Sequence, residues 1–209
     1  MRISEIYAAI QGETQYAGLP CALVRLAGCD LRCSYCDTRY AFTEGMPMHL
    51  DEVMARVREL GFRLVLVTGG EPLLQRETVE LCARLMQGGH RVLVETSGAH
   101  DICVLPDGVI RIVDVKTPGS GECHRNMWSN LAVLGPADAV KFVLCDRADY
   151  LFALETMQRY RWTAETLFSP VYGRLAAKDL WQWMLKDRVA ARLNLQLHKL
   201  VFGEETRGV

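Results

Sequence analysis

The chain has 209 residues, half of them hydrophobic and 23% charged, with a formal net charge of −1. That length supports one sizeable core and leaves little for a second, so a single domain over 1–209 is expected. There is no Lys/Arg tract for nucleic acid, no apolar run near the ~20 residues of a membrane span and no signal-peptide core in Met1-Arg2-Ile3-Ser4-Glu5, which together point to a cytoplasmic protein.

In that compartment the eight cysteines are thiols or ligands rather than disulfides. Residues 3–19 contain Ile10-Gln11-Gly12-Glu13-Thr14 and Gly18-Leu19-Pro20, and read as a turn with exposed backbone donors leading into a strand. The first strand covers 21–27 and is apolar apart from Arg25. A charge in such a run is costly unless paired. Arg25 is therefore either salt-bridged in the core or aimed at an anionic ligand. Next come Cys29, Cys33 and Cys36 at C-x3-C-x2-C spacing on one short loop. Three thiolates fall one short of a tetrahedral zinc site. Held on a four-iron cubane, they leave one iron open to a small molecule.

His49–Leu60 has helical period, with Leu50, Val53, Met54, Val57 and Leu60 on one face and Gly61 closing it. A strand at 63–67 runs into Thr68-Gly69-Gly70-Glu71-Pro72, and a helix over 75–87 ends at Gly88-Gly89. Strands follow at 92–97 and 109–116, then a glycine-rich loop and a strand at 139–145. A helix over 148–160, a strand at 166–170, a helix over 176–186 and a last strand at 191–199 complete the pattern. Cys21, Cys82, Cys103, Cys123 and Cys145 sit singly, mostly within apolar runs, and read as buried inert thiols.

Continuous apolar strands alternating with helices imply an α/β fold with a parallel sheet covered on its outer face. Right-handed crossovers curl such a sheet, and the chain is shorter than the ~250 residues of a full eight-fold barrel. The expectation is an incomplete TIM-like barrel of about six parallel core strands, some of its helices reduced to loops. Its site would lie at the C-terminal strand ends. There fall the cysteine loop, the Gly-Gly-Glu-Pro turn, Glu95-Thr96-Ser97, Asp114 with Lys116, and His198.

The C-x3-C-x2-C motif with Tyr35 before its last Cys, followed by Gly69-Gly70-Glu71-Pro72 after the next strand, resembles the radical S-adenosylmethionine (SAM) family. A finer resemblance, spanning nearly the whole chain, is to the 7-carboxy-7-deazaguanine synthase family of queuosine and deazapurine biosynthesis. Its carriers are Gln11-Gly12-Glu13, Gly18-Leu19-Pro20, Arg25, Cys36-Asp37-Thr38, Thr68 to Pro72, Glu95 to Gly98 and Leu197-His198-Lys199.

That resemblance implies a lyase holding a 4Fe-4S cluster on Cys29, Cys33 and Cys36, with Mg2+ on Thr38. SAM would lie against Tyr35, Cys36, Asp37, Gly70, Glu71, Glu95, Asp114, Val115, Lys116, Ser169, Pro170, Val171 and Tyr172. The substrate, 6-carboxy-5,6,7,8-tetrahydropterin, would contact Ile10, Gln11, Gly12, Glu13, Arg25, Thr68, His198 and the carboxylate of Val209. A planar guanidinium at Arg25 suits the substrate carboxylate. The implied partners are a flavodoxin or ferredoxin as electron donor and a second copy in a homodimer, with apolar residues around Trp181 and Trp183 as a candidate patch. Two other readings share part of the pattern. A glycyl-radical enzyme activase uses the cluster and glycine motifs without needing Gln11-Gly12-Glu13, Arg25 or Thr38. A non-catalytic zinc or iron–sulfur module has no use for the Gly-Gly-Glu-Pro turn.

Overall fold

The structure is a computed structural model and describes residues 1–203 and 208. Val209 lies outside the described residues. The chain runs β1 (Arg2–Ile10), β2 (Pro20–Leu26), β3 (Met46–Pro47), α1 (Leu50–Leu60), β4 (Leu64–Gly69), α2 (Glu77–Gln87), β5 (Arg91–Thr96) and β6 (Ile110–Val115). It continues through β7 (Ala139–Leu144), α3 (Arg147–Arg159), β8 (Glu165–Pro170), α4 (Ala177–Asp187), β9 (Arg192–Leu193) and α5 (Leu197–Phe202). The nine strands among the described residues form one sheet, in the order β3-β1-β2-β4-β5-β6-β7-β8-β9. From β2 onward every pairing in the order β2-β4-β5-β6-β7-β8-β9 is parallel, while β1 and β3 pair antiparallel at one edge. The sheet curls without closing, since β3 and β9 are its two ends.

Successive side chains on a strand point to opposite faces, and here both faces are buried. On the convex side Ala22, Val24, Leu26, Val65 and Val67 pack against Val53, Met54 and Val57 of α1 and Leu81, Cys82 and Leu85 of α2. Further along, Val113, Val140, Phe142, Leu144 and Phe168 meet Tyr150 and Ala153 of α3 and Leu180 and Met184 of α4. The concave side gathers Cys21, Leu23, Leu64, Leu66, Leu93, Ile112, Ala139 and Leu167 into a second apolar layer. Each fully buried Leu, Val or Phe contributes about 1.5–3 kcal/mol, which is why the strands read as unbroken apolar runs. The Glu52 carboxylate accepts from the His49 N–H at 2.8 Å to start α1, and Gly61 at φ 74° ends it.

Three expectations are corrected. Residues 3–19 are not all turn: most of the first ten belong to β1. A register shift between Ile3 and Glu5 breaks the alternation there, so Ile3 faces the helix layer while Tyr7 and Ala9 join the concave layer. The last strand is not 191–199. Only Arg192–Leu193 pair with β8, and His198 sits on α5. Of the five single cysteines, Cys21 and Cys82 are buried, but Cys103 is exposed and Cys123 and Cys145 are partly so. In the candidate apolar patch Trp181 is exposed, whereas Trp183 packs edge-on to Tyr150 at 5.6 Å. The links β5–β6 and β6–β7 are short 3-10 turns where a regular barrel has helices.

Candidate active site

Concave-face residues follow by counting in twos. Beyond Cys21 and Leu23 on β2 comes Arg25, and beyond Leu64 and Leu66 on β4 comes Thr68. On β5, Glu95 follows Leu93. On β6, Asp114 follows Ile112, and Lys116 lies just past the strand. On β7, Lys141 follows Ala139, and on β8, Ser169 follows Leu167. The apolar layer thus gives way to a polar one toward the C-terminal strand ends, where the curled sheet opens.

The cysteine loop leaves β2 on that same rim. It is fastened to its neighbours through the backbone. The Gly70 N–H donates to Leu26 O at 3.1 Å and Glu71 N–H to Gly28 O at 2.8 Å. A Cβ on Gly70 would overlap the Gly28 carbonyl and crowd the Cys29 side chain, so only glycine allows this approach. Ser34 N–H donates to Ser120 O at 2.9 Å, and its hydroxyl donates to Gly119 O at 2.7 Å. Arg32 donates to Cys29 O at 2.8 Å, and Arg39 to Ser34 O at 3.0 Å. The Cys33 thiol is close enough to feel Cys36 and Cys29, and burial pushes it up to about 11. Burial raises the Cys29 and Cys36 thiols too. A bound metal cluster removes those protons and supplies the missing positive charge.

The opposite wall is built by β1, the loop after it, and α5. Leu197 N–H donates to Gly12 O at 2.8 Å, which seats His198 on Gly12 so closely that a Cβ there would overlap the imidazole. Burial lowers the His198 pKa against the pull of Glu13 and Asp37, which favours a neutral ring. Glu13 accepts from Lys141 Nζ at 2.8 Å and Asn194 Nδ2 at 3.4 Å, both on Oε2. Arg25 has its Nε 3.8 Å from Glu5 Oε2, beyond a hydrogen bond, and that buried Nε takes no hydrogen-bond partner among the described residues.

A family model for the radical SAM superfamily matches residues 23–114. The chain is 43% identical to a 7-carboxy-7-deazaguanine synthase from Koribacter versatilis over the full length of both. It is 42% identical to one from Chlorobaculum tepidum, covering all of this chain and 97% of the relative. The chain belongs to the 7-carboxy-7-deazaguanine synthase family. Its fold also aligns with the crystal structure of QueE from Escherichia coli, at a TM-score of 0.73 over 94% of each chain and 21% identity. As a radical SAM family, the 7-carboxy-7-deazaguanine synthases use a 4Fe-4S cluster and SAM.

The chain's residues fit both groups of a 7-carboxy-7-deazaguanine synthase. The three cysteines stand on one loop, with Leu31 N–H directed at Cys29 Sγ at 3.4 Å. Tyr35 Oη on that loop and Asp114 Oδ1 near it are buried without a hydrogen-bond partner among the described residues. Lys116 holds the other Asp114 oxygen at 2.7 Å. Val115 is buried on the helix side of β6. Pro170 ends β8 and Val171 follows it, leading to Tyr172, which lies under Lys199 Nζ at 5.7 Å. Ser169 is turned inward and accepts from Asn194 at 2.8 Å. Glu71 is wholly buried and accepts from Leu73 N–H, Thr96 Oγ1 and Ser97 N–H at 2.9, 2.8 and 2.7 Å. Its carboxylate therefore braces the glycine turn against β5. Thr38 donates its proton to Asp37 Oδ1 at 2.9 Å, leaving its lone pairs for a cation. Ile10 closes β1, and Gln11 is buried beyond it.

Several members of this site carry no motif. Asn126 clasps the Lys116 backbone with two bonds of 2.8 Å, and Glu122 accepts from Arg32 N–H at 2.6 Å under the cysteine loop. Asn194 is an isolated polar residue whose partners are over twenty residues away in sequence, which no local pattern reveals. Lys141 was visible in principle, as a charge in the apolar strand 139–145, the same signal that marked Arg25.

Proposed function

We propose that this chain catalyses the radical ring contraction of 6-carboxy-5,6,7,8-tetrahydropterin to 7-carboxy-7-deazaguanine, with loss of ammonia. The reading is supported above all by Arg25, a half-buried guanidinium whose Nε takes no hydrogen-bond partner among the described residues, on the strand that leads into the cluster loop. When bound, the cluster and SAM supply the one-electron cleavage that yields a hydrogen-abstracting radical. The chain's own residues bind, orient and shield. Arg25, opposite Thr68 across β2 and β4, takes the substrate carboxylate. The Ile10-Gln11-Gly12 backbone, Thr68, Glu13 and His198 hold the bicyclic ring.

SAM occupies the rim of Tyr35, Cys36, Asp37, Gly70, Glu95, Asp114 to Lys116 and Ser169 to Tyr172, while Glu71, expected there too, has both carboxylate oxygens taken by Leu73, Thr96 and Ser97. Thr38 offers its hydroxyl to a Mg2+ that also binds substrate; such an ion usually keeps several waters and few protein ligands. The chain acts as one cytoplasmic domain and receives electrons from a flavodoxin or ferredoxin. It pairs as a homodimer, for which exposed Leu195 and, on α5, Leu200 and Val201 are suitable surface. Among the described residues no helix is long and apolar enough to cross a membrane.

The test is an anaerobic assay of the cluster-loaded protein with SAM, Mg2+, a reductant and the carboxypterin, followed by mass spectrometry. The expected result is 7-carboxy-7-deazaguanine without net consumption of SAM. Slow SAM cleavage with no pterin-derived product would overturn the substrate and favour a protein substrate instead. Zinc in place of iron and sulfide would overturn the chemistry.

A further inference from the structure

Lys141 is a full positive charge in the interior, 8% exposed, on the concave face of the fifth parallel strand of the sheet. No part of the chemistry above uses it. Its neighbours are three carboxylates. Glu13 lies 2.8 Å from Nζ, Glu95 lies 4.0 Å from it, and Asp114 stands directly across in register on β6. The ammonium and Asn194 both bind Glu13 Oε2, and Asn194 is itself held by Ser169 Oγ at 2.8 Å and by the Thr14 N–H at 2.7 Å. No hydrogen bond is made to Glu13 Oε1 by the described residues. One oxygen is thus locked into the protein while the other is free for a ligand.

We infer that Lys141 is a positioning residue that fixes the Glu13 carboxylate, so that its second oxygen accepts from an N–H of the substrate's aminopyrimidinone edge and selects ligands carrying that donor. This rests on the proposed reading that Glu13 faces the pterin ring. An ionised acceptor in the interior strengthens a hydrogen bond to N–H, but only if the charge is kept. Burial works against that charge, and Lys141 outweighs burial in holding Glu13 below the ordinary carboxylate range. Without the ammonium, Glu13 takes up a proton or turns away, and the recognition is lost. Lys141 does not itself reach the reacting carbon in this reading, so its loss weakens binding more than turnover.

The experiment compares wild type, K141M, K141R, E13Q and the double variant E13Q/K141M, all cluster-loaded. Substrate binding is measured calorimetrically with SAM present and no reductant, and KM and kcat are measured with reductant. For K141M the expected result is a Kd and KM for the carboxypterin raised about tenfold to a hundredfold. Its kcat should change by less than about threefold, while K141R regains most of the loss. E13Q and the double variant should bind the pterin equally weakly, because Lys141 reaches the pterin through Glu13. An unchanged substrate Kd in K141M, or a double variant more than about threefold weaker than E13Q, would overturn the inference. The double variant removes the Glu13 charge together with the ammonium and so leaves fewer unpaired interior charges than K141M, which keeps the comparison available if K141M does not fold. Wild type with no product from the pterin would instead sink the proposed function, independently of any variant.

Discussion

Glu71 spends both carboxylate oxygens inside the protein, on two backbone N–H groups and the Thr96 hydroxyl. An amide in its place must turn an NH2 toward at least one of those donors. Glu71→Gln is expected to lower stability by about 2–3 kcal/mol, seen as a lower urea midpoint with an unchanged slope. Gly70→Ala acts differently. The added methyl meets the Gly28 carbonyl and Cys29 across the cluster loop, so the chain should fold but load poorly. Iron and sulfide content should fall well below wild type while the far-ultraviolet circular dichroism is retained. The place of the cysteines, Gly70 and Arg25 at the strand ends was legible in the sequence because each stands out against the apolar strand beside it. Glu71 could not be placed that way. Its position in a ligand-binding motif says nothing of where its side chain turns.

At the scale of elements, α5 shows how a pattern misleads. Leu193, Leu195 and Leu197 alternate like a strand, but the Leu197 N–H is drawn to Gly12 O and the backbone turns away from β8 into a helix. The helix is held over the cluster loop by Lys199, whose Nζ lies 2.6 Å from Asp37 Oδ2. Burial opposes the Asp37 charge, and Lys199 overrides it, so the carboxyl sits well below its usual range. For a depressed carboxylate the stabilisation is complete above the unfolded value of about 4 and is lost as pH falls from there toward the folded value. Hydrogen exchange of the α5 amides should therefore be slower in wild type than in Asp37→Asn near neutrality, with the difference shrinking as the solution is acidified below about pH 4. Asp37 is about half exposed, so the effect should also weaken with added salt. The missed strand β1 has a comparable cause, since its register shift exchanges faces midway and erases the period of two.

For the whole molecule, the parallel sheet and its short-cut connections were legible because burial on both faces demands continuous apolar strands. The manner in which the sheet ends was not. The gap between its two edges is crossed by loops: Leu197 N–H to Gly12 O, Thr14 N–H to Asn194 Oδ1, and Gln15 Nε2 to Ala137 O at 3.0 Å. Asn194→Ala leaves the buried Thr14 N–H without that partner and unties Ser169, and should cost about 2–3 kcal/mol in equilibrium unfolding. A closed barrel has its girth set by strand number and stagger, which no single substitution can alter. Here the perimeter is completed by a handful of side chains and one turn, so the width of the interior is adjustable. A related sequence can take a broader or narrower ring by changing a loop residue at the join, with every strand ladder left as it is.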